Sequence, residues 1–225
     1  MINGKKVTAI ILAAGDSRRF GKKRNKIFEK IHGRSVLSYS LEVFDQNEYI
    51  DNIIIAIKEN EKPIIDEIIS EGEYRTNIQI VIGGCARSES VYNSLKATEA
   101  EIAIIHDGAR PLIKSEYIDK CVESMEKHRG VTMGVKSKDT IKITDEDGNV
   151  INSTDRANTW IIQTPQCFHR DLLLAMHEKF KGDPVTDDCQ LLEKGGHPIK
   201  VIEGDYTNIK VTTYDDCSII KEFID

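Results

Sequence analysis

Short apolar, largely β-branched runs alternate along the chain with longer stretches in which apolar residues recur every three or four positions. The runs VTAIIL (7–12), NIIIAI (52–57), IQIVI (78–82), IAIIH (102–106) and GVTMGV (130–135) are nearly continuous in apolar character, as expected of strands covered on both faces. Between them the spacing predicts helices near 34–45, 60–71, 86–99 and 115–128, through sets such as Val91, Leu95 and Thr98, or Ile118, Val122 and Met125. This alternation predicts an α/β fold with a mostly parallel sheet flanked by helices. Ligands of such sheets gather beyond the carboxyl ends of the strands, so the loops that begin at Ala13, Gly83 and Asp107 become the candidates.

The alternation breaks after Val135. The stretch KSKDTIKITDEDGNVINSTDRANTWIIQTPQ holds two period-2 runs around Asp147-Gly148, a strong hairpin turn signal. It reads as a projecting β-arm over about 137–158. A lone hairpin has too little core to be stable, so a second protomer is expected to cover it. The last third returns to helices near 169–180, 187–195 and 214–224, with a strand near 198–203. Without repeats or linkers, residues 1–225 read as a single domain.

Composition narrows the class. No apolar run approaches the roughly 20 residues of a membrane span, and a formal net charge of −6 argues against a general nucleic-acid binder. The start, MINGKKVTAIILAAG, mimics a short secretory signal, yet the residues after it continue a coherent strand-loop-helix unit, so it reads as the first strand of a cytoplasmic protein. The five cysteines are widely spaced without a C-x-x-C pair, and the six histidines show no ligand spacing. Reduced thiols are expected, with no disulfide framework and no protein-built transition-metal site.

Positive charge is concentrated instead. In LAAGDSRRFGKKRNKIF, Arg18, Arg19, Lys22, Lys23, Arg24 and Lys26 place six cations within nine residues just after Gly15. A Walker A loop does not fit, because five residues separate Gly15 from Gly21 and Lys22 is followed by Lys23; the dinucleotide fingerprint fails at Ser17. What remains is a small-residue turn, Ala13-Ala14-Gly15, that lets a ligand reach backbone N–H groups, followed by a cationic loop suited to a nucleotide triphosphate. Lys22, Lys23 and Arg24 read as a solvated patch, whereas Arg19 and Lys26 flank the loop and face the phosphates.

Two further loops carry chemistry. In GGCARSESV (83–91), Ser88 and Ser90 stand at a helix start, where hydroxyls cap orphan N–H groups, or else recognise a base or ribose. In IIHDGARPL (104–112), Asp107 ends a strand, where it can serve as a hard oxygen ligand for a phosphate-bound Mg²⁺; Arg110 can fork onto a phosphate or simply pair with Asp107. Arg156 in STDRANTW, Thr164 in QTPQ, Thr186 and Asp187 in PVTDD, and Lys210 in NIKVT are each weak signals alone.

Taken in order, LAAG-x-S-R-R, N-K-I-F, GG-x-x-R-x-x-S-V, HDGARP, a D-R-containing arm, QTPQ, TDD and NIKVT resemble the 2-C-methyl-D-erythritol 4-phosphate cytidylyltransferase family from about Val7 to Asp216. The resemblance implies a Rossmann-like nucleotidyltransferase fold, CTP with Mg²⁺, transfer to a polyol phosphate in isoprenoid precursor synthesis, and a homodimer whose β-arm completes the partner's site. It places Arg19, Lys26 and Lys210 in catalysis, and Ala13, Ala14, Gly15, Gly84, Ser90 and Asp107 around CTP. Arg110, Thr140, Arg156, Thr164 and Thr186 fall to the substrate, with Asp107 near the metal. The related ribitol-5-phosphate enzymes more often show D-A-V-R-P, and Gly108-Ala109 with TDD favours the methylerythritol branch. A non-catalytic nucleotide-binding module would have no need of Arg19, Lys26, Asp107 and Lys210 together, and no glycine fingerprint supports an NAD enzyme. One departure stands out: Asn25-Lys26-Ile27 replaces the usual Pro-Lys-Gln, which leaves the entry to Lys26 less constrained in φ.

Overall fold

The computed structural model describes residues 1–17, 20 and 25–224. At its centre β1 (Val7–Leu12) lies between the parallel strands β4 (Asn52–Ile57) and β6 (Ile102–Asp107), with Ile10 opposite both Ile54 and Ile105. β5 (Asn77–Ile82) extends the sheet beyond β4. On the other side β10 (Trp160–His169) runs antiparallel between β6 and β7 (Gly130–Lys136), and β11 (Lys200–Glu203) closes the edge parallel to β7. The order is β11-β7-β10-β6-β1-β4-β5.

Helices cover both faces, which is why the central strands read as continuous apolar runs. Ala9 and Ile11 of β1 belong to one core, with α1 (Val36–Gln46), α2 (Lys62–Glu71), α4 (Ser115–Ser124) and α7 (Tyr214–Lys221) supplying Leu41, Ile65, Val122 and Ile220. Ile10 faces the other core, where α3 (Arg87–Lys96), α5 (Arg170–Lys179) and α6 (Cys189–Lys194) supply Leu95, Leu173 and Leu191. Alternate residues of one strand thus fill two cores. A short hairpin of β2 (Lys30–Ile31) and β3 (Arg34–Ser35) precedes α1.

Two sequence expectations need correction. β5 is an edge strand rather than a strand covered on both faces, and Ile82 is exposed. The run WIIQTPQ, beyond the predicted arm and not predicted as a strand, opens a ten-residue strand whose second half is buried against β6 and β7. Two buried glutamines and Pro165 masked its apolar character, and the pairing with β7 shifts register between Ile162 and Gln166, around the proline that has no N–H to donate. The arm itself forms as β8 (Lys142–Thr144) and β9 (Val150–Ser153), joined through Gly148 at φ +86°, and every residue of both strands is exposed.

Candidate active site

β1, β4, β5 and β6 end along one rim, above which lies a cavity of about 570 Å³ lined by Ala13, Gly15, Lys26, Gly84, Asp107 and Lys210, among others. The Ala13 N–H donates to the Ala56 carbonyl at 2.8 Å, so sheet bonding runs one residue past β1 before the chain peels away. Among the described residues, a Cβ on Gly15 would meet no atom within 4 Å, so their packing does not impose this glycine, and it leaves the backbone open to a ligand. At Gly83 the constraint is internal: a Cβ there would lie 2.6 Å from Ser90 Oγ and 2.9 Å from Ala14 Cβ, so only glycine lets the second loop close on the first.

The second loop is capped differently from the expectation of serine caps. The Glu89 carboxylate accepts from the Cys85 N–H at 2.7 Å, while Ser90 Oγ accepts from the Gly84 N–H at 3.1 Å and donates to the Ala86 carbonyl at 3.2 Å. Ser90 therefore shapes the wall of the cavity, and Ser88 lies in a separate cavity beside Tyr92 and Phe180.

Lys26 enters on a single helical turn, Lys26–Phe28, and lines the cavity. Its approach is not loose. Asn25 has φ −62°, close to the value a proline would impose, and its side chain does what a pyrrolidine ring cannot. It donates to the Ala13 carbonyl at 3.1 Å and to Glu61, and accepts from the Ser17 hydroxyl at 2.8 Å. Ser17 Oγ in turn accepts from the Lys26 N–H at 3.1 Å. Arg19, together with Arg18, Lys22, Lys23 and Arg24, lies outside the described residues.

Asp107 is the electrostatic centre. Its Oδ2 lies 2.7 Å from Lys210 Nζ and 3.6 Å from Arg110 Nε, and its Oδ1 lies 3.8 Å from Arg87 Nε. Burial alone would push this carboxyl up, but the charges of Lys210, Arg87 and Arg110 outweigh it and hold it well below the usual carboxylate range. A second buried carboxylate, Asp188, accepts from Arg87 Nη1 at 2.6 Å and from His177 Nε2 at 3.2 Å.

Behind Asp107 a neutral histidine fixes the strand ends. Burial pushes His106 down to about 4. Its Nε2 faces the Arg110 carbonyl at 3.2 Å, which can only accept, so Nε2 carries the proton. Nδ1 then accepts from Thr164 Oγ1 at 3.1 Å, and Thr164 Oγ1 accepts from the Asp107 N–H at 3.1 Å. Arg110 Nη1 donates to the Asn208 carbonyl at 2.7 Å, and Asn208 Nδ2 donates to the Thr164 carbonyl at 2.8 Å. The loops after β6 and before α7 are thereby stitched to β10.

The structure thus brings Ala13, Ala14, Gly15, Lys26, Gly84, Ser90, Asp107 and Lys210 around one cavity. Thr164 is buried and Arg110 partly buried behind Asp107, with their polar groups turned toward it and its neighbours. Thr186 is exposed, exchanging hydrogen bonds with Gln190 at the approach to α6. Thr140 and Arg156 are exposed on the arm and line no part of this cavity. The sequence reading assigned no role to Arg87, Asp188, His106 or Asn208. For Arg87 a signal existed: a cation at the first position of a helix opposes the helix dipole, so it calls for an anion to hold it.

Comparison with known proteins shows which family the chain resembles. The family model of 2-C-methyl-D-erythritol 4-phosphate cytidylyltransferase matches residues 7–224. A relative of that name from Caldanaerobacter subterraneus is 40% identical over 223 residues, covering 97% of this chain and 98% of the relative. The crystal structure of 4-diphosphocytidyl-2C-methyl-D-erythritol synthase from Anaerococcus prevotii superposes with a TM-score of 0.88 at 36% identity, over 98% of this chain and 99% of that one. A 2-C-methyl-D-erythritol 4-phosphate cytidylyltransferase structure from Francisella tularensis gives 0.80 at 26% identity, over 97% and 100%.

Proposed function

Because this chain belongs to the 2-C-methyl-D-erythritol 4-phosphate cytidylyltransferase family, we propose that the cavity at the ends of β1, β4, β5 and β6 holds CTP for transfer of its cytidylyl group to that polyol phosphate. The chain is accordingly a nucleotidyltransferase. The single observation that carries the site assignment is that Lys26 and Lys210, from distant parts of the sequence, line the same cavity as the open turn at Gly15.

A phosphate oxygen of the polyol attacks the α-phosphorus of CTP in line, and pyrophosphate leaves. The nucleophile is already an anion, so no general base is needed, and repulsion between two polyanions is the obstacle. Two unit charges ~4 Å apart interact by about 4 kcal/mol at an effective dielectric near 20, so a few well-placed cations decide the rate. Lys26 and Lys210 take the α-phosphate and Arg19 the leaving phosphates. The nucleotide lies along Ala13, Ala14, Gly15 and Gly84, with Ser90 shaping the wall. Arg110 and Thr164 serve by holding Asp107, while Thr186 and a partner's arm residues Thr140 and Arg156 hold the substrate phosphate.

Asp107 is an ionised hard-oxygen donor at the cavity wall, and among the described residues no group of three or more potential metal ligands exists. That donor set fits a Mg²⁺ carried in chiefly by phosphate oxygens, with Asp107 beside it. Such an ion would neutralise charge on the triphosphate.

The arm supports a dimer. Ile141, Ile143, Val150 and Ile151 are exposed on it, and Ile161 and Ile162 where it rejoins the sheet. A two-stranded ribbon with that many bare aliphatic groups needs cover, and a second copy supplies it. The protein acts in the cytoplasm, and no helix among the described residues is long and apolar enough to cross a membrane.

Pyrophosphate release from CTP with 2-C-methyl-D-erythritol 4-phosphate or ribitol 5-phosphate tests the substrate. Lys26→Ala is expected to lower turnover by roughly 10²-fold or more with fold and dimer intact; near-normal turnover would remove its role. Nucleotide placement has an independent readout in Cys85, which lines the cavity and is exposed while the other four cysteines are buried. CTP should slow its alkylation, and unchanged labelling would move the nucleotide elsewhere.

A further inference from the structure

The three cations around Asp107 are not equivalent. Lys210 makes the shortest contact, 2.7 Å, yet its side chain is 39% exposed on a flexible stem and is the group assigned to the α-phosphate. When it turns to a phosphate it leaves Asp107. Arg110 divides its contacts: its Nη1 is bonded to the Asn208 carbonyl, and its buried Nε pairs with Asp107 at 3.6 Å without making a hydrogen bond.

Arg87 differs from both. Its Nη1 is 2.6 Å from Asp188 Oδ2, a fully buried carboxylate whose other oxygen is held by His177 Nε2. Its Nε faces Asp107 Oδ1 at 3.8 Å, and the guanidinium lines the cavity. One planar fork therefore spans two carboxylates from different loops, which a single ammonium cannot do. Sitting at the start of α3, against the dipole of that helix, Arg87 is held there by those two anions. The chain His177–Asp188–Arg87–Asp107 runs from α5 through the approach to α6 to the end of β6.

We propose that Arg87 is a positioning residue for the transfer reaction: anchored on buried Asp188, it keeps the Asp107 carboxylate fixed in place while Lys210 moves to the phosphate. The proposal rests on the reading of this cavity as the nucleotide site. Arg87 itself forms no bond to the reacting atoms.

The test uses the full chain, with pyrophosphate release measured at varied CTP and polyol phosphate in the presence of Mg²⁺, and thermal unfolding alongside. Arg87→Lys keeps the charge but loses the fork. It is expected to lower kcat at least tenfold, with KM for CTP within about threefold and little change in Tm. Arg87→Ala should lose as much and regain several-fold in kcat with millimolar methylguanidinium, which can enter the vacated space. A smaller loss in Arg87→Lys, or a loss in Arg87→Ala that methylguanidinium does not reverse, overturns the proposal, because a merely structural role moves Tm and leaves the turnover of folded protein unchanged. Asp107→Asn in parallel separates the two levels. Normal kcat there would sink the reading of the cavity, whereas a reduced kcat there with normal Arg87 variants would sink only this inference.

Discussion

Lys210 Nζ rests 2.7 Å from Asp107 Oδ2, so the cation assigned to the α-phosphate is held by a carboxylate at the edge of the same cavity. On the proposed function, exchanging that carboxylate for a phosphate would swap one anion for another, so the lysine would never be stripped of a counter-charge. Lys210→Ala removes the mobile cation but leaves Asp107 facing Arg87 and Arg110. We expect kcat to fall by about 10²–10³-fold, the scale of losing one well-placed charge contact of ~4 kcal/mol or somewhat less, while Tm moves by only a few degrees. Steady-state kinetics and a melting curve on the same preparation check both halves.

Asn25 turns a departure from the family pattern into a different solution to the same problem. Its backbone sits at φ −62° without a ring, and its amide joins Ala13, Ser17 and Glu61, the last a half-buried carboxyl that burial raises and this hydrogen bond lowers. Asn25→Ala leaves those groups short of partners and should cost about 1–3 kcal/mol. Asn25→Asp should cost more, since it keeps the acceptor for Ser17 but loses the donor to Ala13 and places a second carboxylate against Glu61. Because the same contacts hold the entry to Lys26, KM for CTP should rise several-fold in both, with kcat less affected. Urea unfolding and CTP titration together decide it; an Asp variant as stable as the Ala variant would count against the Glu61 contact.

The parts of this fold legible in the sequence are those where burial is two-sided and apolar. NIIIAI and VTAIIL form strands over their whole length because little that is polar interrupts them. β10 escaped because it carries its polar groups into the interior. Gln163 donates to the Asp205 carbonyl and Gln166 to Thr132 and Asp187, so their buried amide N–H groups are met by hydrogen bonds that no periodicity reveals, while their side-chain carbonyl oxygens find no partner among the described residues. The site divides in the same way. Lys26, Asp107 and Lys210 stand in recognisable local motifs, whereas Arg87 acquires its meaning from Asp188, 101 residues away. His106, apolar in context and next to a notable aspartate, reads as strand until its two ring nitrogens are seen between Thr164 and the Arg110 carbonyl.

That histidine gives the protein an acid-side stability slope. An ordinary histidine titrates near 6.5, and burial pushes His106 down to about 4. Between those values the unfolded chain binds a proton that the folded chain refuses, so stability falls as pH drops from 6.5 toward 4 and is fully present above 6.5. The window is worth on the order of 3 kcal/mol. His169, lowered by its partial burial, adds in the same direction, while Glu61, raised by burial, works the other way near the lower end. Urea midpoints at about pH 7, 6, 5 and 4.5, at one protein concentration, should trace this decline, and His106→Asn should flatten it. An unchanged slope in that variant would assign the decline to other groups.

In the proposed dimer, the arm decides whether a lone protomer can work at all. Arg156 and Thr140 are exposed and line no part of their own chain's cavity, and Ile143 and Ile151 are bare. If a second copy covers those isoleucines, Ile143→Asp with Ile151→Asp should yield a folded monomer by light scattering, with turnover reduced at least as much as in Arg156→Ala. The shared site can be read by mixing. A dimer of one Lys26→Ala protomer and one Arg156→Ala protomer has one site with both residues intact and one with neither. Random exchange in an equal mixture of the two inactive proteins should therefore restore about a quarter of wild-type activity, because half of the dimers are mixed and each mixed dimer has one working site of two. Recovery that scales with the fraction of verified mixed dimers would establish that Arg156 acts across the interface. Mixed dimers without recovery would return Arg156 to its own chain's surface and leave the exposed isoleucines as the arm's only reason to pair.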